Sequence, residues 1–384
     1  VLHNYMDFDD LKDYVKISYE LTQDGLVISK GILSEFSVAS HGEGKTNLKI
    51  SVPENGKCYL KLIYYLKKEM PLLEENHILG FDEIEVSQKD AKCQLAEKWL
   101  EKTATDSELQ VNEDDTQIHI KGREFAYTID RRTALFTEMK FAGREYLNHP
   151  MELNIWRAPT DNDMYIKAEW KKAHYDKAYT RAYTTEVVQG KHGVKIVSHA
   201  SVVAETVQKI LDVTITWKID ASGKIDADIE ATKDGEFPDL PRFGVRMFLD
   251  KKLSDARYFG MGPQESYRDK HQAASHGLYR ANVRDLHEDY IRPQENGSHY
   301  DCGYVELNNS RYGIVASAEK AFSFNASYYT QEELEKKTHN YELTESDSVV
   351  FCVDYALNGI GSNSCGPVVL DQYRFDDVLF RFQF

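Results

Sequence analysis

The run Leu211–Ile219 constrains the fold more than any other stretch of the chain. Leu211, Val213, Ile215, Trp217 and Ile219 take every second position, with Asp212, Thr214, Thr216 and Lys218 between them. Side chains alternate faces along a strand, so this period of two gathers all five apolar groups on one face, whereas a helix would scatter them. Ser222-Gly223 then supplies a tight turn and Ile225–Ala231 returns, which predicts an antiparallel hairpin with one buried face. The same alternation recurs at Val245, Met247 and Leu249 and at Val378, Phe380, Phe382 and Phe384. Gln117–Ile120 and Phe125–Ile129 open the series. Met164–Tyr183 departs from it, being rich in Ala, Lys, Glu and aromatic residues, and reads as one or two short helices. Residues 109–384 are therefore expected to form one large antiparallel β-sandwich.

Residues 1–90 read as a smaller unit of the same class. Val15, Ile17, Tyr19 and Leu21 point one way and Lys16, Ser18 and Glu20 the other, and Asp24-Gly25 turns the chain back through Leu26–Ile32. Further strands are expected at Leu48–Val52, Leu60–Leu66 and Phe81–Val86. Short strands punctuated by turn signals within fewer than a hundred residues predict an immunoglobulin-like β-sandwich. Residues 91–108 are polar, with scattered Lys and Glu, and read as a linker holding at most one helical turn near Ala91–Leu100. The whole chain is thus expected to be all-β. No constellation of catalytic type is visible in the first unit.

Composition narrows the function. A net charge of −16 argues against nucleic acid, whose phosphates need clustered Lys and Arg on one face. No run of about 18 apolar residues exists to span a membrane, and the mean hydropathy of −0.55 fits a soluble protein. The five cysteines are sparse and form no CxxC pair, so neither a disulfide framework nor a zinc site is expected and a reducing, cytoplasmic location is. Aromatic residues make up 12%, including 24 Tyr. Most would fill β-sheet cores, while flat faces beside hydroxyls also suit sugars. Val1 stands in already fold-like sequence with no initiator Met and no signal peptide, which points to a piece of a longer chain.

Four clusters carry chemically capable groups. The densest is Asn154–Asp163, reading Asn-Ile-Trp-Arg-Ala-Pro-Thr-Asp-Asn-Asp. Pro159 removes a donor and biases Ala158 to an extended conformation. In an extended strand Asp161 and Asp163 would share a face; as a turn, Arg157 would pair with one of them. The second cluster is Phe259–Tyr267 with Arg268 and Asp269 following, the third is Tyr290–Gly297, and the fourth is Asn358–Pro367. The second and third each place a glutamate after Pro-Gln, Glu265 and Glu295. Glycosidases use two carboxylates about 5 to 10 Å apart, so these form a formal candidate pair, although 63 acidic residues make two loop glutamates unremarkable. The 13 histidines include no HExxH, and Ser364-Cys365 lacks the strand–turn–helix setting of a nucleophile elbow.

The motifs Arg157-Ala-Pro-Thr-Asp-Asn-Asp163, Gly260-Met-Gly-Pro-Gln-Glu-Ser-Tyr267, Arg292-Pro-Gln-Glu-Asn-Gly297 and Gly359-Ile-Gly-Ser-Asn-Ser-Cys365 occur in that order. In this they resemble the C-terminal part of the large bacterial β-galactosidases of glycoside hydrolase family 2. Asn4–Tyr14 likewise resembles the opening of those enzymes' immunoglobulin-like fourth domain. The resemblance covers essentially the whole chain and implies a fourth and a fifth domain, the fifth resembling the galactose-mutarotase-like superfamily. It implies hydrolysis of terminal β-D-galactosides such as lactose, with retention, by two glutamates on a TIM barrel that this chain does not contain. Magnesium and a monovalent cation are expected in that missing catalytic domain, with no metal site here. The barrel is expected as a further domain or a companion subunit, in a homo-oligomer that binds neither nucleic acid nor membrane.

By the same resemblance this chain has no catalytic residue of its own and forms the edge of the substrate pocket through Arg157, Asp161, Asn162, Asp163, Met164, Tyr165, Asn363, Ser364 and Cys365. Some family members place a sugar-stacking tryptophan where Cys365 stands, so the platform here is expected from Tyr165 or Trp170. The alternative is a stand-alone carbohydrate-binding or mutarotase-like module built on Glu265, Arg292 and Glu295. A third reading is an interaction domain that holds an oligomer together.

Overall fold

A computed structural model describes residues 1–97, 109–361, 365 and 368–384. The chain divides into two compact units, Val1–Leu95 with Ser275–Leu278, and Ala96–Ala274 with Tyr279–Phe384. Helices are short, and antiparallel sheets carry both units, as the alternating pattern requires.

In the first unit a four-stranded sheet runs in the order Leu26–Leu33, Val15–Gln23, Cys58–Leu66, Ile78–Glu85. Asp24 and Gly25, at φ 47° and 79°, make the hairpin turn that Asp-Gly favours. Asp24 Oδ1 also accepts from Lys57 N at 2.8 Å, which fixes the neighbouring strand's entry. Val15, Ile17 and Leu33 bury their side chains with Leu2 and Val38. Asp10 caps the short helix Leu11–Tyr14, accepting from Lys12 N and from Val38 N, both at 3.0 Å. The expected strand at Leu48–Val52 has no ladder partner; Leu48 instead packs beneath the sheet as part of an irregular cover. Alternation signals a two-faced extended segment, but it does not supply a hydrogen-bonding neighbour. The expected helical turn near Ala91–Leu100 falls largely outside the described residues.

Among the described residues, the second unit holds three antiparallel sheets around one core. A five-stranded sheet runs Arg144–Glu145, Leu135–Phe141, Phe125–Asp130, Gln117–Lys121, Gln110–Glu113. Six strands of a seven-stranded sheet run Leu147–Asn154, Arg242–Asp250, Ser348–Leu357, Gly313–Ser327, Ser298–Asn308, Asp255–Gly262. Another five-stranded sheet runs Tyr179–Gln189, Gly193–Val203, Leu211–Asp220, Ile225–Lys233, Leu379–Gln383. The hairpin expected at Leu211–Ala231 pairs Leu211 with Lys233 through to Ile219 with Ile225. Its five apolar side chains are all buried, and Trp217 Nε1 donates to Ala134 O at 2.8 Å.

Arg242–Asp250 differs from that half-buried pattern. Its first eight residues are buried on both faces. Two arginines on this strand end in ion pairs: Arg246, between Val245 and Met247, meets Glu152 and Glu332, and Arg242, at the start of the strand, meets Glu295 and Asp354. The helical reading of Met164–Tyr183 resolves into the helix Ile166–Lys172, the 3₁₀ turn Tyr175–Lys177 and then strand from Tyr179.

Candidate functional site

Asn154 ends the first strand of the seven-stranded sheet, and the chain then runs buried through Ile155, Trp156, Arg157 and Ala158. Beyond Pro159 it tightens into a 3₁₀ turn at Asp161–Asp163. Asp163 makes that turn: its Oδ2 accepts from Thr160 N at 2.8 Å while its own N–H donates to Thr160 O at 3.0 Å. The extended arrangement that would place Asp161 and Asp163 on one face is therefore not formed. Asp163 is buried, whereas Asp161 is exposed and exchanges hydrogen bonds with the Gln294 amide at 3.0 and 3.2 Å.

Arg157 is fully buried and every nitrogen of its guanidinium is engaged. Nε and Nη2 donate to Asp163 at 3.1 and 2.7 Å, Nη1 donates to Asn358 O at 2.6 Å, and Nη2 also reaches Gly359 O at 3.2 Å. Trp170, also fully buried, presents its ring to the guanidinium at 5.2 Å and to Trp156 at 6.1 Å, and its Nε1 donates to Asp239 O at 2.9 Å. A ring committed on these sides cannot serve as a sugar platform, which corrects the expectation for Trp170. Tyr165, capping the same helix, is exposed, as is Met164.

The buried pair at Arg157 thus joins the first cluster to the fourth. Asn162 Nδ2 donates to Gly361 O, and Asp269 accepts from Ile360 N at 3.0 Å and Gly361 N at 2.7 Å. Cys365 is exposed. Asn363 and Ser364 lie outside the described residues.

Glu265 and Glu295 are both largely inaccessible, and each is committed to its own partners. Glu265 Oε1 accepts from Lys270 Nζ and Tyr290 OH; Oε2 accepts from Gly297 N at 2.9 Å and Tyr267 OH at 3.4 Å. Burial pushes this carboxyl up, but Lys270, Tyr290 and Gly297 together hold it below the usual range, so it stays ionised and ties the second cluster to the third. Glu295 faces Arg242 at 3.3 Å, and its N–H donates to Ala158 O at 3.0 Å. Burial raises its carboxyl against the pull of Arg242 and Arg157. Arg242 also pairs with Asp354 at 2.8 Å, and burial brings that carboxyl up to about 6. Arg292 is exposed and makes no ion pair among the described residues. The geometry is that of a frame: each inward acid of the four clusters meets a guanidinium, an ammonium, a hydroxyl or a backbone N–H.

Sequence reasoning missed Arg242 and Asp354. The available signal was a charged residue placed within otherwise apolar strands, since a charge there survives only with a partner. A groove of about 440 Å³ lined by Arg131, Arg132, Arg181 and Tyr183 contains none of the motif residues. Arg131 and Arg132 are already paired there, with Glu113 and Asp130. Among the described residues no three His, Cys, Asp or Glu side chains gather as metal ligands, and no helix is long and apolar enough to cross a membrane.

Residues 121–384 match the family described as β-galactosidase small chain, and residues 1–87 match that described as β-galactosidase, domain 4. A β-galactosidase of Actinobacillus pleuropneumoniae is 42% identical over 386 residues, covering 100% of this chain and 37% of its own length. A β-galactosidase of Staphylococcus xylosus is 30% identical over 387 residues, covering 100% of this chain and 38% of its own. This chain therefore spans under two-fifths of either relative. Among solved structures, galactose 1-epimerase from Lactobacillus acidophilus NCFM aligns over 72% of this chain and 96% of its own, at 10% identity and a TM-score of 0.33.

Proposed function

Because the chain belongs to the β-galactosidase small chain family, we propose that it is the C-terminal part of a retaining β-galactosidase that hydrolyses terminal β-D-galactosides such as lactose. In this reading the two catalytic glutamates, the magnesium and the monovalent cation belong to a barrel outside this chain, in the same polypeptide or a companion subunit of a cytoplasmic homo-oligomer. The role of this chain is to border the substrate pocket. Arg157, Asn162 and Asp163 hold the frame, and Asp161, Met164, Tyr165 and the late run through Asn363, Ser364 and Cys365 present its edge.

One observation supports this division of labour. The Arg157 guanidinium, with 0% exposure, locks the root of the Asp161–Tyr165 segment to the root of the late glycine-rich run, so both would be presented together as one rigid border. Rigid support of a binding edge is what substrate positioning needs.

The test is a chromogenic β-galactoside assay on the isolated chain and on the complete enzyme. The isolated chain is expected to show no turnover. Turnover by it that Glu265→Gln abolishes would overturn the proposal. Calorimetry with galactose addresses the module reading: millimolar or tighter binding by the isolated chain would favour it.

A further inference from the structure

The late glycine-rich run is flanked by two roots, Asn358–Gly361 before it and Gln372–Arg374 after it. These two roots are tied to each other by Gly359 N donating to Tyr373 O at 2.8 Å. Both are also gripped by one dipeptide. Asp269 takes the outgoing root, accepting from Ile360 N at 3.0 Å and from Gly361 N at 2.7 Å. Arg268 takes the returning root, its Nη1 donating to Arg374 O at 3.0 Å and its Nη2 to Gln372 O at 3.1 Å. The dipeptide sits at the tip of a tight turn closed by Tyr267 N to Lys270 O at 2.8 Å and Lys270 N to Tyr267 O at 3.0 Å. Tyr267 and Ser266 beneath it are buried, and Ser266 N donates to Ser298 O at 2.7 Å. Two adjacent side chains therefore diverge from an anchored turn, one to each root.

Packing at the neck leaves no slack. A Cβ on Gly359 would stand 2.8 Å from Asp269 Oδ2 and 3.0 Å from Val369 Cγ1, and one on Gly361, at φ 60°, would stand 2.6 Å from Val369 Cγ2. Glycine at these positions lets the Asp269 carboxylate and Val369 close directly over the backbone. Charge-assisted bonds to two successive N–H groups fix both position and direction of the outgoing chain.

We propose that Arg268 and Asp269 are positioning residues that set the placement of Asn358–Gly361 and Gln372–Arg374, the two roots flanking the late glycine-rich run, and through them the affinity for the galactoside. The proposal rests on the reading that this run borders the substrate pocket. Neither residue touches the reacting atoms, so the effect falls on substrate affinity rather than on the chemical step.

The experiment compares Asp269→Asn, Asp269→Glu and Arg268→Lys in the complete enzyme that carries this chain. The readouts are amide hydrogen exchange in peptides spanning residues 358–361, and KM and kcat on a chromogenic β-galactoside. Asp269→Asn preserves size while removing the charge and one acceptor. Its exchange and its KM are each expected to rise about tenfold, with kcat held within about threefold. Asp269→Glu, which restores the carboxylate, should recover part of the KM loss, and Arg268→Lys should give a smaller rise than Asp269→Asn. Unchanged exchange in Asp269→Asn overturns the proposal, as does raised exchange with KM unaltered. If the unsubstituted enzyme shows no β-galactoside turnover, the functional reading fails on its own. Exchange then still decides whether the dipeptide holds the neck.

Discussion

Asp163→Ala is the sharpest perturbation of the frame. Asp163 is buried beside a fully buried Arg157, and the substitution removes two charge-assisted acceptors, at 3.1 and 2.7 Å, from a guanidinium that cannot recover water. The carbonyls of Asn358 and Gly359 remain, but they carry no compensating charge. Breaking one side of a buried pair costs about 3–5 kcal/mol. The loss of the Thr160 N–H acceptor at 2.8 Å adds about 1 kcal/mol. A net loss of about 5 kcal/mol is expected, which for a urea slope of about 3 kcal/mol/M lowers the midpoint by about 1.7 M. Fluorescence is a suitable probe, because Trp156, Trp170 and Trp217 are all buried in the second unit. Asp161→Ala is the control: the same residue type two positions away, exposed, and expected to cost below about 0.5 kcal/mol. A loss below about 1 kcal/mol for Asp163→Ala would refute the structural role argued for the pair. If the substituted complete enzyme lost all kcat while its unfolding midpoint stayed put, Asp163 would have to act in the chemistry itself.

Two further outcomes follow from burial elsewhere in the second unit. His299 is buried, and burial lowers its pKa to about 4; the unfolded chain binds a proton near pH 6.5 that the folded chain refuses, so stability falls as pH drops from 6.5 to 4, by about 3 kcal/mol in all. Urea melts across this range should show the slope, and His299→Phe should flatten it by close to one proton; an unaltered slope would count against the assignment. Gly244 lies on a central strand where an added Cβ would stand 2.6 Å from Asp354 Cα, so Gly244→Ala is expected to cost about 3 kcal/mol in the same melts, and a neutral result would mean that the strand pair yields more readily than its packing implies.

The strands were legible where one face is buried and the other wet. Leu211–Asp220 shows that case, since its apolar residues alone carry the core contacts. Legibility failed where pairing or layering decides the outcome. Leu48, Ile50 and Val52 alternate as well as any strand, yet no neighbour offers them a ladder. Arg242–Asp250 also alternates, but the intervening positions face a second buried layer, and sequence cannot tell a solvated arginine from one that ends in a buried ion pair. The helix at Ile166–Lys172 was visible from its composition; its end was not, because Tyr179 onward is claimed by an eleven-residue strand.

The candidate site was legible as a set of places and much less as a set of roles. Buried frames and reacting centres draw on the same few residue types, so a dense run such as Asn154–Asp163 announces both alike. What separates them is whether a charge is already satisfied. Arg157 spends its donors on Asp163 and two carbonyls, Glu265 spends its oxygens on Lys270, Tyr290, Tyr267 and Gly297, and Asp269 spends its own on two N–H groups. A carboxylate so engaged gains little by exchanging a proton with a substrate, since doing so would strip its partners of their acceptor. Asp161, Arg292 and Cys365 within these motifs, and Met164 and Tyr165 just beyond the first, are exposed. Within each motif, then, the buried polar residues fix where the chain goes, and substituting the exposed ones would leave that path in place.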